Sequence, residues 1–294
     1  MIVITNNEGQ LCNKLILFAH CVATGIETGH RVVHLAGKQI MEAATLDPQI
    51  MKRLGVTVLP WELRSPFQGG WWTLTDWLQA VQGTKPFRNC LKKSPEESRL
   101  YVEQCFGENA RKRRLFMIRD WFFRNPDAFF KHRAEILKLL ALKENFYTKP
   151  REIISGIRRN HPGAEVIGVH IRRGDYKTYE NGRWFFTDED YLFFMRQAAA
   201  AAPVAPVFWV CSNEPVNLEF FQHGGMNVVA GPGHKIEDLA ALSLCDKLMG
   251  PPSTYSWWAA FVSDIPAWHI ADSSKTETPL WNKNYPASGW SVAG

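Results

Sequence analysis

From Val166 to Ala271, short apolar runs alternate with stretches of helical length, and no other feature restricts the fold as much. Strand-like runs occur at Val166–His170, Val207–Cys211, Asn227–Ala230, Lys247–Gly250 and Ala267–Ala271. Helical patterns fill the gaps, at about 188–202, 215–222, 236–244 and 253–262. Parallel strands need a crossover that returns over the sheet, usually a helix, so this pattern predicts a parallel sheet wrapped by helices. The amino terminus reads the same way. Ile2–Thr5 is strand-like, residues 6–12 form a loop, and Leu15, Phe18, Ala19, Val22 and Ile26 give a helix over about 13–28. Gly29 is placed to stop that helix, and Arg31–Leu35 resumes as a strand. Between about Asp47 and Pro150 the pattern is less regular and rich in aromatics, including Trp61, Trp71, Trp72, Trp77 and Trp121, with helices expected near 127–142 and 151–159. His161-Pro162-Gly163 marks a boundary, giving two α/β domains, 1–160 and 161–294.

Composition narrows the class. The 294 residues suffice for two cores, and 46% hydrophobic with 21% charged residues describes a globular protein. A net charge of +5 suits an anionic substrate or a membrane surface as well as nucleic acid. The basic run Arg111–Arg114 reads as a solvated helix face. None of the six cysteines forms a C-x-x-C pair, so no zinc site is expected, and Cys211 and Cys245 lie in apolar surroundings as reduced core residues. There is no basic leader at the amino terminus and no run of ~18–20 apolar residues, so a reducing cytoplasm is the expected location. Peripheral attachment at the inner face of a membrane stays open.

Three strand ends carry candidate chemistry. Val166–His170 runs straight into Arg172, Arg173 and Asp175. In open α/β sheets ligands sit beyond the carboxyl ends of strands, and planar guanidiniums suit phosphate oxygens. The same run can also be a solvated charge cluster or an internal Arg–Asp pair, and His170 can satisfy a core carbonyl. In Lys247-Leu-Met-Gly-Pro-Pro-Ser253-Thr254-Tyr-Ser256 a strand ends and a helix opens with hydroxyls in its first turn. The free N–H groups there make an anion site, or an ordinary N-cap. The third is the loop Asn7-Glu-Gly9-Gln-Leu-Cys-Asn13, where backbone can approach a ligand. Asp188-Glu-Asp190 has the D-x-D form of a metal site, but Thr187 and Asp190 read better as a capping box, and no other acidic cluster supports a metal. Some tryptophans, Trp71, Trp72 and Trp184 first, could offer a sugar-stacking face.

Taken together, these elements resemble the α1,2-fucosyltransferases of glycosyltransferase family 11 and, more distantly, the α1,6- and protein O-fucosyltransferases. His170-Ile-Arg172-Arg173-Gly-Asp175 matches that superfamily's H-x-R-R-x-D signature. Pro252-Ser-Thr-Tyr-Ser-Trp-Trp-Ala259 looks like the S-S-T-F-S-W-W-x-A motif, and Gly9-Gln-Leu-Cys-Asn-Lys-Leu15 is similar to G-x-L-G-N-Q-M. Two departures stand out: Cys12 replaces a glycine, and Ser212-Asn213-Glu214 stands where S-D-D is usual.

The resemblance implies a GT-B fold of two Rossmann-like domains facing across a cleft, with an acceptor-side domain first and a GDP-sugar-binding domain second. It implies GDP-fucose as donor, inversion at the sugar carbon, and no metal or other cofactor. By the same resemblance Arg172 contacts the diphosphate, with His170, Arg173 and Asp175 assisting or bracing. Asp238 falls where the guanine edge is held; Ser253, Thr254 and Ser256 meet phosphate or ribose; Gly9 and Asn13 approach the donor. Glu180 matches a proposed general-base position. The implied acceptor is a galactoside hydroxyl of an oligosaccharide or lipid-linked glycan. Rival readings are a transferase of a different GDP-sugar, or a non-catalytic sugar-nucleotide or glycan-binding module. No motif supports nucleic-acid binding.

Overall fold

A computed structural model describes residues 1–6, 9–60, 102, 106, 115–118, 123–271 and 278–283. The chain forms two compact units, Met1–Leu142 and Lys143–Gly294. The change therefore comes ahead of the 160/161 position expected from the His161-Pro-Gly sequence. The helix preceding those residues packs on the second sheet, which pulls it into the second unit.

In the first unit β1 (Ile2–Ile4) leads into α1 (Leu11–Thr28), then β2 (Val32–His34), α2 (Lys38–Ala43), α3 (Pro48–Leu54) and β3 (Val56–Val58). β4 (Phe116–Ile118), α4 (Pro126–Lys131) and α5 (Arg133–Leu139) follow. All strand pairings are parallel, in the order β3-β2-β1-β4. Gly29 ends α1 in the left-handed region, φ 69°, its N–H bonded to the Gly25 carbonyl, as a helix stop requires. Asp47 caps α3 by accepting from the N–H groups of Gln49 and Ile50 at 2.8 and 3.0 Å. The helix expected over 127–142 is broken at His132, whose ring meets the Glu27 carboxylate of α1. Strands of three residues, such as β3 and β4, are too short to show a period in sequence.

The second unit begins with α6 (Thr148–Asn160) and continues through β5 (Val166–Ile171), α7 (Asp188–Ala200), β6 (Val207–Ser212), α8 (Leu218–His223) and β7 (Asn227–Ala230). α9 (Lys235–Leu242), β8 (Lys247–Gly250), α10 (Thr254–Ser263) and β9 (Ala267–His269) complete it. The strands are parallel, in the order β7-β6-β5-β8-β9. Every residue of β5 is buried, as its unbroken apolar run demands. One core gathers Ile167, Val169, Ile171, Phe194, Phe208, Met249 and Trp268. Trp257 and Trp258 are also fully buried, so these two tryptophans are core residues. Cys12, Cys21, Cys211 and Cys245 are buried and in no disulfide; Cys90 and Cys105 lie outside the described residues. Among the described residues no helix is long and apolar enough to cross a membrane.

Candidate active site

β5 is the turning point of the second sheet. The chain moves from it to β6 and β7 on one side, then returns to β8 and β9 on the other. The carboxyl ends of β5 and β8 therefore lie side by side, at the point where open α/β sheets bind ligands. This neighbourhood brings together two motifs some eighty residues apart in sequence. A Cβ on Gly250 would fall 2.5 Å from the His170 carbonyl oxygen, so only glycine lets the strand ends approach this closely. Tyr176 ties them again by donating its hydroxyl to the Pro252 carbonyl at 2.5 Å. The His170 ring lies 5.0 Å from that of Tyr255.

The two adjacent arginines do different things. Arg172, its side chain 20% exposed, donates through Nη2 and Nε to the Asp175 carboxylate at 2.7 and 3.2 Å, with its guanidinium 4.9 Å from the Tyr176 ring centre. Asp175 is 55% exposed. Exposed pairs typically contribute about 0.2–1 kcal/mol, so a bound phosphate could displace this one at little cost. Arg173 is turned inward. Its Nε donates to the Phe186 carbonyl at 2.9 Å, and its terminal nitrogens meet Asp188 and Glu214. The two guanidiniums are thus divided between one at the strand end and one that braces the loop. Successive residues leaving a strand point to opposite sides, which is why the pair divides.

His170 is buried, and burial next to the Arg172 charge pushes its pKa down to about 3, leaving a neutral imidazole. Its Nδ1 has no hydrogen-bond partner among the described residues. Ser253 caps α10, its hydroxyl accepting from the Tyr255 N–H at 3.3 Å. Ser256 donates to the Ser253 carbonyl at 3.3 Å, and Thr254 is buried in the same first turn. The first turn of α10 thus opens beside the β5 strand end, and helix-start N–H groups and the helix dipole are suited to an anion.

Asp238 lies in the first turn of α9, 5% exposed, and burial raises its pKa to about 6. Its carboxylate abuts the loop after β7: it accepts weakly from the Gly233 N–H at 3.4 Å, and a Cβ on Gly231 would fall 2.4 Å from it. Glu180 is exposed, in a run of left-handed residues: Glu180 φ 47°, Asn181 φ 58° and Gly182 φ 76°. Left-handed geometry costs about 1–2 kcal/mol for a non-glycine residue, so this turn is strained. In the first unit Gly9, at φ 80°, lies so close to Asn13 that a Cβ would fall 2.6 Å from its amide nitrogen. Both sit after β1, where the first sheet also changes direction.

Residues 85–290 match Glycosyl transferase family 11. The chain belongs to this family.

The matched span of this family holds the β5, α9 and α10 residues but not Gly9 or Asn13. Galactoside alpha-(1,2)-fucosyltransferase 2 of Mus musculus is 28% identical over 175 residues, 55% of this chain and 49% of that protein. Galactoside alpha-(1,2)-fucosyltransferase 1 of Rattus norvegicus is 29% identical over 150 residues, 46% and 39% respectively. The chain thus spans about half the length of the curated relatives it matches, or less. Among solved structures, fucosyltransferase NodZ from Bradyrhizobium superposes with a TM-score of 0.53 at 17% identity, covering 92% of this chain and 95% of that one. POFUT1 in complex with GDP-fucose superposes with a TM-score of 0.54 at 13% identity, covering 90% and 94%. These likenesses show the fold: this family 11 chain is of the GT-B type, each unit a Rossmann-like parallel sheet with helices.

The family departures have local explanations. Cys12 lies in the first turn of α1, buried at 2%, where a helical residue needs no glycine. Asn213 and Glu214 serve the β5 turn from the end of β6: Asn213 accepts from the Arg173 N–H at 3.0 Å, and Glu214 lies 3.7 Å from the Arg173 guanidinium. Thr187 and Asp190 form the reciprocal capping box, and among the described residues no His, Cys, Asp and Glu cluster fits a metal. The roles of Tyr176, Tyr191 and Tyr255 leave no mark in the sequence. Each uses its hydroxyl on the backbone of the site: on Pro252, on Arg172 and His170, and on Lys235. Only the three-dimensional bonds reveal these roles. Trp71, Trp72, Trp61, Trp77, Trp121 and Arg111–Arg114 lie outside the described residues.

Proposed function

We propose that this chain transfers L-fucose from GDP-fucose to a hydroxyl of a galactoside, O2 by analogy with its relatives, with inversion at the sugar carbon. The observation that carries the reading is the junction of β5 and β8, where the Arg172 guanidinium lies over the Tyr176 ring and the Tyr176 hydroxyl bonds Pro252, just ahead of α10. The acceptor oxygen attacks the anomeric carbon from the face opposite the diphosphate, and the carbon–oxygen bond to GDP breaks. Arg172 and the first-turn N–H groups of α10 meet the charge that develops on the departing phosphate. His170, held neutral, can donate a ring N–H to a phosphate oxygen or accept from a water bound to it, and Arg173 holds the loop from behind. Asp238 offers two acceptor oxygens to a guanine edge, Ser253 and Thr254 serve phosphate or ribose, and Ser256 holds the helix turn that presents them. Glu180, exposed after the strained turn, is the candidate base that takes the acceptor proton. In this reading neither a metal nor a further cofactor takes part.

Incubation with GDP-fucose on a glycan array, scored by attached fucose, tests the activity. Transfer to terminal galactosides is expected. Transfer only from another GDP-sugar, or binding of GDP without transfer to any glycan, defeats the reading.

A further inference from the structure

The loop that follows Arg172 and Asp175 carries an aromatic cluster of which the donor site uses only Tyr176. Tyr176, Tyr179 and Trp184 lie with ring centres 5.7–6.2 Å apart, Tyr179 stacked against both others at interplanar angles of 22° and 30°. Tyr176 and Trp184 are buried, whereas Tyr179 is 40% exposed, one of few large apolar or aromatic side chains so placed among the described residues. Its ring is therefore fixed from beneath by two others. The guanidinium of Arg172 lies over the same Tyr176 ring at 4.9 Å, so Tyr179 is one ring removed from the group assigned to the diphosphate.

The rim of this ring is polar. Glu180 and Asn181 follow it directly, both exposed, and the Arg183 guanidinium lies 5.9 Å from the Trp184 ring. Three successive left-handed residues, 180–182, fold the loop back so that Trp184 returns beneath Tyr179. A flat supported ring with hydrogen-bonding groups at its edge is matched to a sugar, which has one face of C–H groups and hydroxyls around it. β-Galactose presents such a face through its C3, C4 and C5 hydrogens, because O4 is axial on the other side.

We propose that the exposed face of Tyr179 is the stacking surface for the acceptor's galactose ring, with Glu180, Asn181 and Arg183 reading its hydroxyls. This rests on the galactoside transfer proposed above and names the residues that would select the acceptor. Trp184, the ring singled out by sequence, acts from beneath as support.

Two readouts test it: acceptor kinetics with lactose as the β-galactoside, and calorimetric titration of lactose into the full chain saturated with GDP. Tyr179→Ala is expected to raise the KM for lactose roughly tenfold and to weaken lactose binding equally, with kcat changed less than about threefold. GDP binding is expected to stay unchanged. Tyr179→Phe keeps the ring face and is expected to stay within about twofold of the unaltered protein in both readouts. If Tyr179→Ala transfers fucose with an unaltered lactose KM, the stacking surface is refuted while the transferase reading stands. If the unaltered protein neither binds GDP nor transfers fucose, the transferase reading fails. Titration of lactose into the protein without GDP then decides this proposal alone: loss of affinity in Tyr179→Ala upholds it, and no lactose binding to the unaltered protein overturns it.

Discussion

At the scale of single residues, neighbours in sequence separate into different roles. Arg172→Ala removes a guanidinium that pairs with the exposed Asp175 carboxylate and lies over the Tyr176 ring, so the melting temperature is expected to fall only modestly. Transfer should fall by about 10²–10³, the usual cost of removing one donor from a developing oxyanion. Arg173→Ala should behave the opposite way at first reading. It strands the Phe186 carbonyl and the Asp188 and Glu214 carboxylates, for a loss of about 2–3 kcal/mol seen in urea denaturation. Its activity loss should be partly recovered by lower temperature, whereas that of Arg172→Ala should not. Asp238 gives a pH signature. Its folded pKa is about 6 against the ordinary 3.8, so the folded protein holds the proton more tightly than the unfolded chain. Stability should therefore fall as pH rises from about 4 to about 6. Asp238→Asn should stabilise the ligand-free protein at pH 7 by roughly 1–3 kcal/mol. GDP binding, which would use the ionised carboxylate, should weaken below pH 6 in the unaltered protein and lose that dependence in the variant. Calorimetric titration across pH measures both.

At the scale of elements, two helix caps of similar strength serve different ends. Thr187 and Asp190 close the capping box at the start of α7, and Ser253 caps α10 at the β5–β8 junction. Loss of either hydroxyl, in Thr187→Ala or Ser253→Ala, should cost about 1 kcal/mol of stability. Only Ser253→Ala should also weaken GDP binding, because only α10 starts where the phosphate would lie. Equal GDP affinities in the two variants would remove α10 from the site. The strand pair beneath is equally demanding. Gly250→Ala would drive a methyl into the His170 carbonyl, and a protein that tolerated it without loss of melting temperature would contradict the close approach.

For the whole molecule, the two units carry separate parallel sheets, and the donor residues named here fall mainly in Lys143–Gly294. A ligand that binds only the folded state at about a hundred times its dissociation constant adds about 2.7 kcal/mol. For a unit of about 150–250 residues that corresponds to a rise of several degrees, roughly 5–10 °C, in scanning calorimetry with GDP. Absence of any shift would count against nucleotide binding by this chain. The identity with curated relatives, 28–29% over about half their length, supports the family, and these measurements address the activity directly.

Much of this was written in the chain itself. Strands buried on both faces must be apolar throughout, helices over a sheet must be apolar on one side, and a helix stop favours glycine, so β5, α7, α10 and Gly29 could be placed from local pattern alone. The strand ends bearing Arg172 and Ser253 were equally visible, because charge and hydroxyl groups break an apolar run. Strand order was not, for it depends on which hydrogen-bonding edges meet. The three-residue strands β3 and β4 lack the length to show a period. The inward turn of Arg173, the hydroxyl of Tyr176 on Pro252 and the support of Tyr179 by Trp184 each join groups whose partners are chosen by packing. Local sequence sets what a residue can bond, and only the folded chain sets what is there to be bonded.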